Sequence, residues 1–393
     1  MASAVDQAAD EPAVGRRPSV ERGRLVGLDG IRGLAALFVV LHHCWLLSFP
    51  GFPVNTGPAW TGWLLYGHLA VVVFITLSGF SLAVAPARSG WRVDGVQRFF
   101  RRRAWRILPP YWAALLLSLI IAWTVVPQPG GGSPTSRSVL VYGLLVQDVF
   151  GAPTPNGAFW SIAIEAQLYL VFPVLLLLLR RVGAVVLLVV ATVTVVTIEL
   201  LAGGFPLAGL LLRLTPQFAV LFAVGMVAAG VVSVGGRRWR GLPWEWLALA
   251  AAVPVFLTIM LQGSVWTVEH YAWVDLAIGP AAGLLLVSVS LGGPSALIRV
   301  LDTRPVRRLG SFSYSLYLTH APLVVVVHHV VAPSVRPGVL TFLVTLAVAV
   351  PLTLAVALVF AAVFELPFQR HRSSAALLGA VRSRLSSALS RTP

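Results

Sequence analysis

The stretch LDGIRGLAALFVVLHHCWLLSF, residues 28–49, decides the fold class. As a helix it rises about 33 Å, enough to cross a hydrocarbon core about 30 Å thick. It is apolar apart from Asp29, Arg32, His42, His43 and small polar groups. It is too long for the core of a cleaved leader, and no A-x-A site follows it, so it reads as a retained span. The same reading applied outward gives nine more runs: 66–86, 108–126, 160–179, 183–202, 207–232, 244–262, 276–292, 310–332 and 339–365. An eleventh run, 139–150, is too short to span. Turn formers flank it in PQPGGGSPTS and GAPTPNG, so it is expected to be a re-entrant or interfacial helix. The expected fold is an all-α polytopic membrane protein of about ten helices.

Composition agrees. The 393 residues are 58% hydrophobic and 11% charged, with a mean hydropathy of +0.86. Soluble domains carry about 25% charged residues, which excludes an ordinary soluble enzyme. The 29 basic residues are all arginine, against 14 acidic ones, for a net charge of +15. With the N-terminus inside, 25 of the 29 arginines fall on the cytoplasmic side and three outside, with Arg32 within the first span. That split follows the positive-inside rule and places both termini in the cytoplasm. The charge thus belongs to short membrane-edge loops, which excludes a nucleic-acid partner and makes membrane lipids the expected surroundings. Residues 1–24 read as a disordered tail, 25–368 as the membrane domain, and 369–393 as a basic cytoplasmic tail. That tail has Leu and Ala on one face and Arg on the other, as in a helix lying on lipid. One cysteine, Cys44, excludes an internal disulfide framework.

Ionisable groups inside a bilayer are costly and mark function. Arg32 and His43 are eleven residues apart, which returns them to one helix face about 16 Å apart along the axis. Arginine suits a phosphate, and histidine suits proton transfer near neutral pH. A phosphate anchor and a distant base on one stripe fit a long ligand with a phosphorylated head and a reactive tip, the shape of acyl-coenzyme A. His42 is rotated by 100° and reads as a packing or supporting residue. In FFRRRAWRILPPYW, residues 99–112, Arg103 and Arg106 share a face. Pro109 and Pro110 mark the expected start of a span there, and Trp105 and Tyr111 are interleaved aromatics. In FWSIAIEAQLYLVFP, residues 159–173, Ser161, Glu165 and Tyr169 share a face. Glu165 must be paired or protonated, and His43, at similar depth, is the expected partner. In GSFSYSLYLTHAPL, residues 310–323, Ser313, Tyr317 and His320 form a stripe, with Tyr314 beside it. Glu199 and Arg213 are a candidate structural pair. Leu77–Phe80, with its Ser-Gly step, suits close helix approach. Glu269, His270 and Asp275 in an outer loop, and His328–His329, fit no standard metal ligand set, so no metal is expected.

Five stretches in order, GLDGIRGLAALFVVLHH, FITLSGFSLA, FFRRRAWRILPPYW, AFWSIAIEAQLYLVFP and GSFSYSLYLTHAPL, together resemble the acyltransferase-3 family of integral membrane O-acyltransferases. The resemblance covers roughly residues 25–368. Arg32 and His43 match the family's basic residue, ten residues, then histidine; His42 does not. Arg103 and Arg106 match its arginine pair, Glu165 its acidic residue after W-S, and Tyr314, Tyr317 and His320 its late tyrosine–histidine stretch. The resemblance implies transfer from cytoplasmic acyl-coenzyme A, as co-substrate, to a hydroxyl of a sugar, a lipid-linked glycan or a natural product such as a macrolide. The implied roles are phosphate binding for Arg32, Arg103 and Arg106, and base catalysis for His43 oriented by Glu165. Ser161, Tyr169, Tyr314, Tyr317, His320 and His42 are left near the acceptor or in support. Direct transfer and an acyl-enzyme route both remain open. Two departures stand out: FWSIAIEAQ is a looser version of the usual stretch, and the C-terminal hydrolase-like domain of many relatives is absent. The Arg-only, Ala/Val/Leu-rich composition points to a high-GC bacterium. The alternative reading is a proton-coupled carrier, since ten spans, an interrupted segment and buried ionisable groups suit one as well.

Overall fold

The computed structural model describes residues 27–93, 95–234, 239, 241–291, 295–371 and 379. The N-terminal tail and nearly all of the basic C-terminal tail read from the sequence lie outside these residues. All regular structure among the described residues is helical. In chain order the helices are α1 Leu28–Ser48, α2 His68–Ala87, α3 Val96–Thr124, α4 Ser136–Gly143, α5 Gln147–Phe150, α6 Phe159–Leu201, α7 Pro206–Leu212 and α8 Gln217–Val234. There follow α9 Trp244–Glu269, α10 Tyr271–Leu291, α11 Ala296–Leu301, α12 Arg304–Ser311, α13 Ser313–Val331, α14 Val339–Phe360 and α15 Leu366–Arg370. Among the described residues, eight helices are long and apolar enough to cross a membrane. A ninth crossing arises if α7 and α8, bent by 52°, act as one.

Two expected spans, 160–179 and 183–202, form one helical run of 43 residues. Straight, it would reach about 65 Å, twice a bilayer core. It is not straight: Gly183 interrupts it at φ 82°, ψ 173°, two residues after Arg181.

Two boundaries differ from the sequence reading. Helix α3 does not start at Pro109. It starts at Val96 and carries Pro109 and Pro110 inside it. Proline already has a helical φ, and the carbonyls it frees, those of Trp105 and Arg106, lie near the membrane edge at the start of the span. The consequence is functional, because Arg103 and Arg106 ride on a rigid helix. The 139–150 segment is two short helices rather than one. Thr135 and Ser138 form a capping box that starts α4 at Ser136, and Leu145, at φ 59°, breaks the chain before α5. Neither piece is long enough to span, as the turn-rich flanks indicate.

The centre of the bundle is α2 against α8. A Cβ on Gly79 would strike the Phe222 carbonyl, and one on Gly225 the Thr76 carbonyl, so the backbones touch reciprocally. Phe80, Leu221, Phe222 and Met226 are fully buried around this crossing. Asp275 is not in a loop as read from the sequence. It is fully buried in α10, 2.9 Å from His68 Nε2, with Gln217 Nε2 at 3.3 Å. That pairing explains how α10 tolerates a carboxylate. The expected Glu199–Arg213 pair does not form among the described residues. Arg213 Nε instead donates to Asp148 O at 3.1 Å. No group of three metal-ligating side chains occurs among them either. Long apolar side chains on α9, such as Met260 and Leu261, face outward, as lipid contact requires.

Candidate active site

A cavity of about 370 Å³ opens among α1, α2, α3, α6, α12, α13 and the chain after α14. Arg32, Arg103 and Arg106 all line it. Each arrives by a local rule. Arg32 sits one turn into α1, where Nη2 donates to Ser81 Oγ at 2.7 Å and Nη1 lies 3.6 Å from Asp29 Oδ1. Arg103 and Arg106 are three apart on α3 and share a face. The Arg103 guanidinium rests 5.8 Å from the Phe99 ring centre and 6.0 Å from that of Tyr169. Three cations in one cavity repel, and Asp29, Glu165 and Glu365 line it too. Glu365 is already occupied: it accepts from Ser315 Oγ at 2.5 Å, Ser315 N at 3.2 Å and Gln369 Nε2 at 2.7 Å.

The interleaved aromatics of the arginine stretch do not line this cavity. Trp105 Nε1 donates to His371 O at 2.7 Å, and its ring packs on Phe368. Tyr111 Oη donates to Tyr142 O at 2.8 Å. Both tie α3 to neighbouring segments.

Ser161, Glu165 and Tyr169 all line the cavity, as their shared stripe predicts. Glu165, however, does not pair with His43. Its hydrogen-bond partners are Ser78 Oγ at 2.7 Å and Tyr169 Oη. The reason is that Ser161, one turn away, meets α13: Ser161 Oγ and Tyr317 Oη are 2.6 Å apart. That contact turns the Glu165 face toward the arginines. Ser78, read from sequence only as a small packing residue, thereby becomes part of the site.

The Ser161–Tyr317 bond, with Phe74 edge-on to the Tyr317 ring at 5.4 Å, forms part of the cavity wall. Tyr314 lines the cavity, while the Tyr317 ring also lies 5.7 Å from His320. His320 is fully buried and its Nε2 is 3.3 Å from His43 Nδ1. The proton positions follow from the acceptors. His320 Nδ1 faces the carbonyls of Tyr317 at 2.8 Å and Leu316 at 3.2 Å, so it carries the hydrogen. Its Nε2 is then a lone pair facing His43. His43 Nδ1 faces Val39 O at 2.9 Å as well, so it too is the N–H. His43 Nε2 is left as the basic nitrogen. The side chain on His43 Nδ1 is thus His320 and not Glu165, the partner expected from the sequence. His42 turns away, with Nδ1 on Leu64 O at 2.7 Å and its ring against Gly67, as its 100° offset indicates.

One structural residue escaped the sequence reading. Asn156 is 1% exposed and donates from Nδ2 to Ser118 Oγ at 3.1 Å and Leu318 O at 2.9 Å, while Oδ1 accepts from Ala158 N at 2.9 Å. It locks the loop before α6 onto α3 and α13. Its only signal was its place in GAPTPNG, which reads as punctuation.

Residues 25–362 match the family described as an acyltransferase domain, acyltransferase-3. Among similar proteins is the acyltransferase MdmB of Streptomyces mycarofaciens, 29% identical over 76% of this chain and 78% of the relative. A putative peptidoglycan O-acetyltransferase of Bacillus subtilis, YrhL, is 27% identical over 76% of this chain and 48% of its own length. The O-acetyltransferase OatA of Staphylococcus aureus is 23% identical over 77% of this chain and 51% of its own length. The chain therefore spans about half the length of the two O-acetyltransferases. No solved structure matches it. A carrier would have no reason to share this family's domain from end to end. With the match covering most of the chain, the protein belongs to the acyltransferase-3 family and is an enzyme that transfers acyl groups.

Proposed function

We propose that this protein is a membrane O-acyltransferase that moves a short acyl group from cytoplasmic acyl-coenzyme A to a hydroxyl of a glycan or natural product. The observation that carries the reading is one continuous arrangement. Three arginines line one cavity together with Ser161 and Tyr317, and the His43–His320 pair stands behind Tyr317, next to that wall. Arginines hold phosphates through paired, charge-assisted hydrogen bonds. Arg32, Arg103 and Arg106 would take the donor's phosphates, and the arm would run along α1 for the roughly 16 Å between Arg32 and His43. Glu165, bonded to Ser78 and Tyr169, balances the cations and keeps Tyr169 in place under Arg103.

His43 Nε2 accepts the proton of the acceptor hydroxyl, whose oxygen attacks the thioester carbon. The imidazolium formed is stabilised by Nδ1–H donation to Val39 O and His320 Nε2. That proton then passes to the departing thiolate. The relatives' names support an O-linked acceptor, and the peptidoglycan relative makes a glycan the first to try.

The topology belongs to the same reading. Counting α6 as two crossings and α7–α8 as one gives ten spans, with Arg180 and Arg181 at the cytoplasmic turn. Both termini are then cytoplasmic, and the arginine cavity opens to the donor's compartment.

Calorimetric titration with acetyl-coenzyme A tests donor binding. Losing one charge-assisted contact costs about 1.5–3 kcal/mol, so Arg103→Ala or Arg106→Ala should weaken binding by roughly tenfold or more. Unchanged affinity in both would remove the phosphate assignment.

A further inference from the structure

Two turn segments that the mechanism leaves unused converge on His43. Gln128 follows α3 in the PQPGGG turn, and Gly157 precedes α6. Gln128 is 6% exposed, and its carboxamide has no protein partner among the described residues. Its polar atoms keep a little accessible surface, so the amide is held in place by packing while still open to a ligand. A Cβ placed on Gly157 would lie 3.5 Å from Gln128 Oε1 and 3.9 Å from His43 Nε2. The atoms bordering that point are the basic nitrogen and Gln128 Oε1, and a carboxamide that no hydrogen bond fixes can turn to bring its Nε2–H there instead. Gly157 N–H also lacks an acceptor among the described residues. Asn156 fixes this stretch through Ser118 and Leu318, so the space is built in rather than a result of loop motion.

We propose that Gln128 is a further catalytic residue, and that its carboxamide and the Gly157 N–H form the oxyanion site for the acyl carbonyl. The proposal rests on the reading of His43 as base. The acceptor oxygen bonds to the thioester carbon as its proton moves to His43 Nε2. The carbonyl π pair becomes the charge on oxygen, held by the Gln128 Nε2–H and Gly157 N–H donors. Collapse restores the carbonyl and breaks the C–S bond, and the His43 proton goes to the thiolate. Ester and free thiol are the products, with no further reactant. A methyl at 157 would fit at ordinary contact distance from Gln128 Oε1 and His43 Nε2 and would narrow the room left for the reacting group.

The test uses the full chain in proteoliposomes, with acetyl-coenzyme A, the acceptor that supports wild-type turnover, and free thiol as readout. Removing one oxyanion donor costs about 10²–10³ in kcat. Gln128→Ala should show that loss with KM for acetyl-coenzyme A within about threefold. Gly157→Ala, whose new contacts are ordinary van der Waals distances, should show a kcat loss while still binding acetyl-coenzyme A at the arginines. Wild-type kcat in both variants, or a loss confined to KM, overturns the proposal. His43→Ala run in parallel separates the two claims. If it is inactive while Gln128→Ala turns over normally, only the oxyanion site has failed; if it is fully active, the base assignment has failed.

Discussion

At the scale of the residue, the pair His42–His43 offers the sharpest contrast. The two are chain neighbours, yet one is walled in by Leu64 and Gly67 and the other faces His320. General base catalysis contributes about 10²–10⁴-fold, so His43→Ala should lose at least that much kcat. His42→Ala should stay within about tenfold of wild type, as measured by acyl transfer with purified protein. His320 is a positioning residue, and its effect should fall on kcat rather than KM. His320→Gln keeps an acceptor for His43 Nδ1–H, whereas His320→Leu removes it. The loss in His320→Leu should reach roughly tenfold or more, the worth of one hydrogen bond to a charged group, with partial rescue in His320→Gln. Equal losses in the two variants would argue for a packing role alone. The eleven-residue spacing made Arg32 and His43 legible in the sequence. The partner of His43 was not, because stripes on separate helices do not state how those helices rotate against each other. Glu165 and His320 both had the right depth, and the Ser161–Tyr317 contact chose between them.

At the scale of the element, length and hydropathy located nearly every helix, while the internal prolines and glycines had to be read with their neighbours. Pro109 and Pro110 looked like a start and are interior; Gly183 looked like the first residue of a separate span and is a single-residue break within one helical run. The α2–α8 crossing depends on two bare backbones. Gly225→Leu would drive a side chain into the Thr76 carbonyl, and overpacking of this kind costs about 1–3 kcal/mol or more. A markedly lower Tm in detergent is expected, and an unchanged Tm would mean that the helices are farther apart than described. The short helix α5 carries a pH signature. Burial raises the Asp148 carboxyl to about 6, opposed by the Gln167 hydrogen bond and by Arg213. Its folded value lies above its unfolded one, so the folded state holds the proton more tightly. Stability is then greatest below about pH 4 and falls as pH rises through about 6. Asp148→Asn removes the penalty. Its Tm advantage over wild type should grow between pH 4 and pH 7, and a constant difference across that range would contradict the assignment.

At the scale of the whole molecule, the arginines have two duties. In the proposed topology most of them fall on the cytoplasmic side, while Arg32, Arg103 and Arg106 line the cavity. Sidedness is directly testable because the chain has one cysteine, Cys44, and it is buried. In a Cys44→Ser background, a cysteine at Arg181 should react with an impermeant maleimide only from the cytoplasmic face, and one at Arg137 only from the opposite face. The reverse pattern would invert the topology. That Gln128 and Gly157 come together near His43 was not legible in the sequence, since these residues meet only after α3, α6 and α13 are assembled. The central claim joins a donor held at the cytoplasmic arginines to proton transfer at His43. It is tested most directly with sealed inside-out vesicles given labelled acetyl-coenzyme A from outside, together with an acceptor. The account predicts labelled ester with wild-type protein, little with Arg103→Ala at low donor concentration, and none with His43→Ala. Wild-type levels of labelled ester from His43→Ala would contradict it.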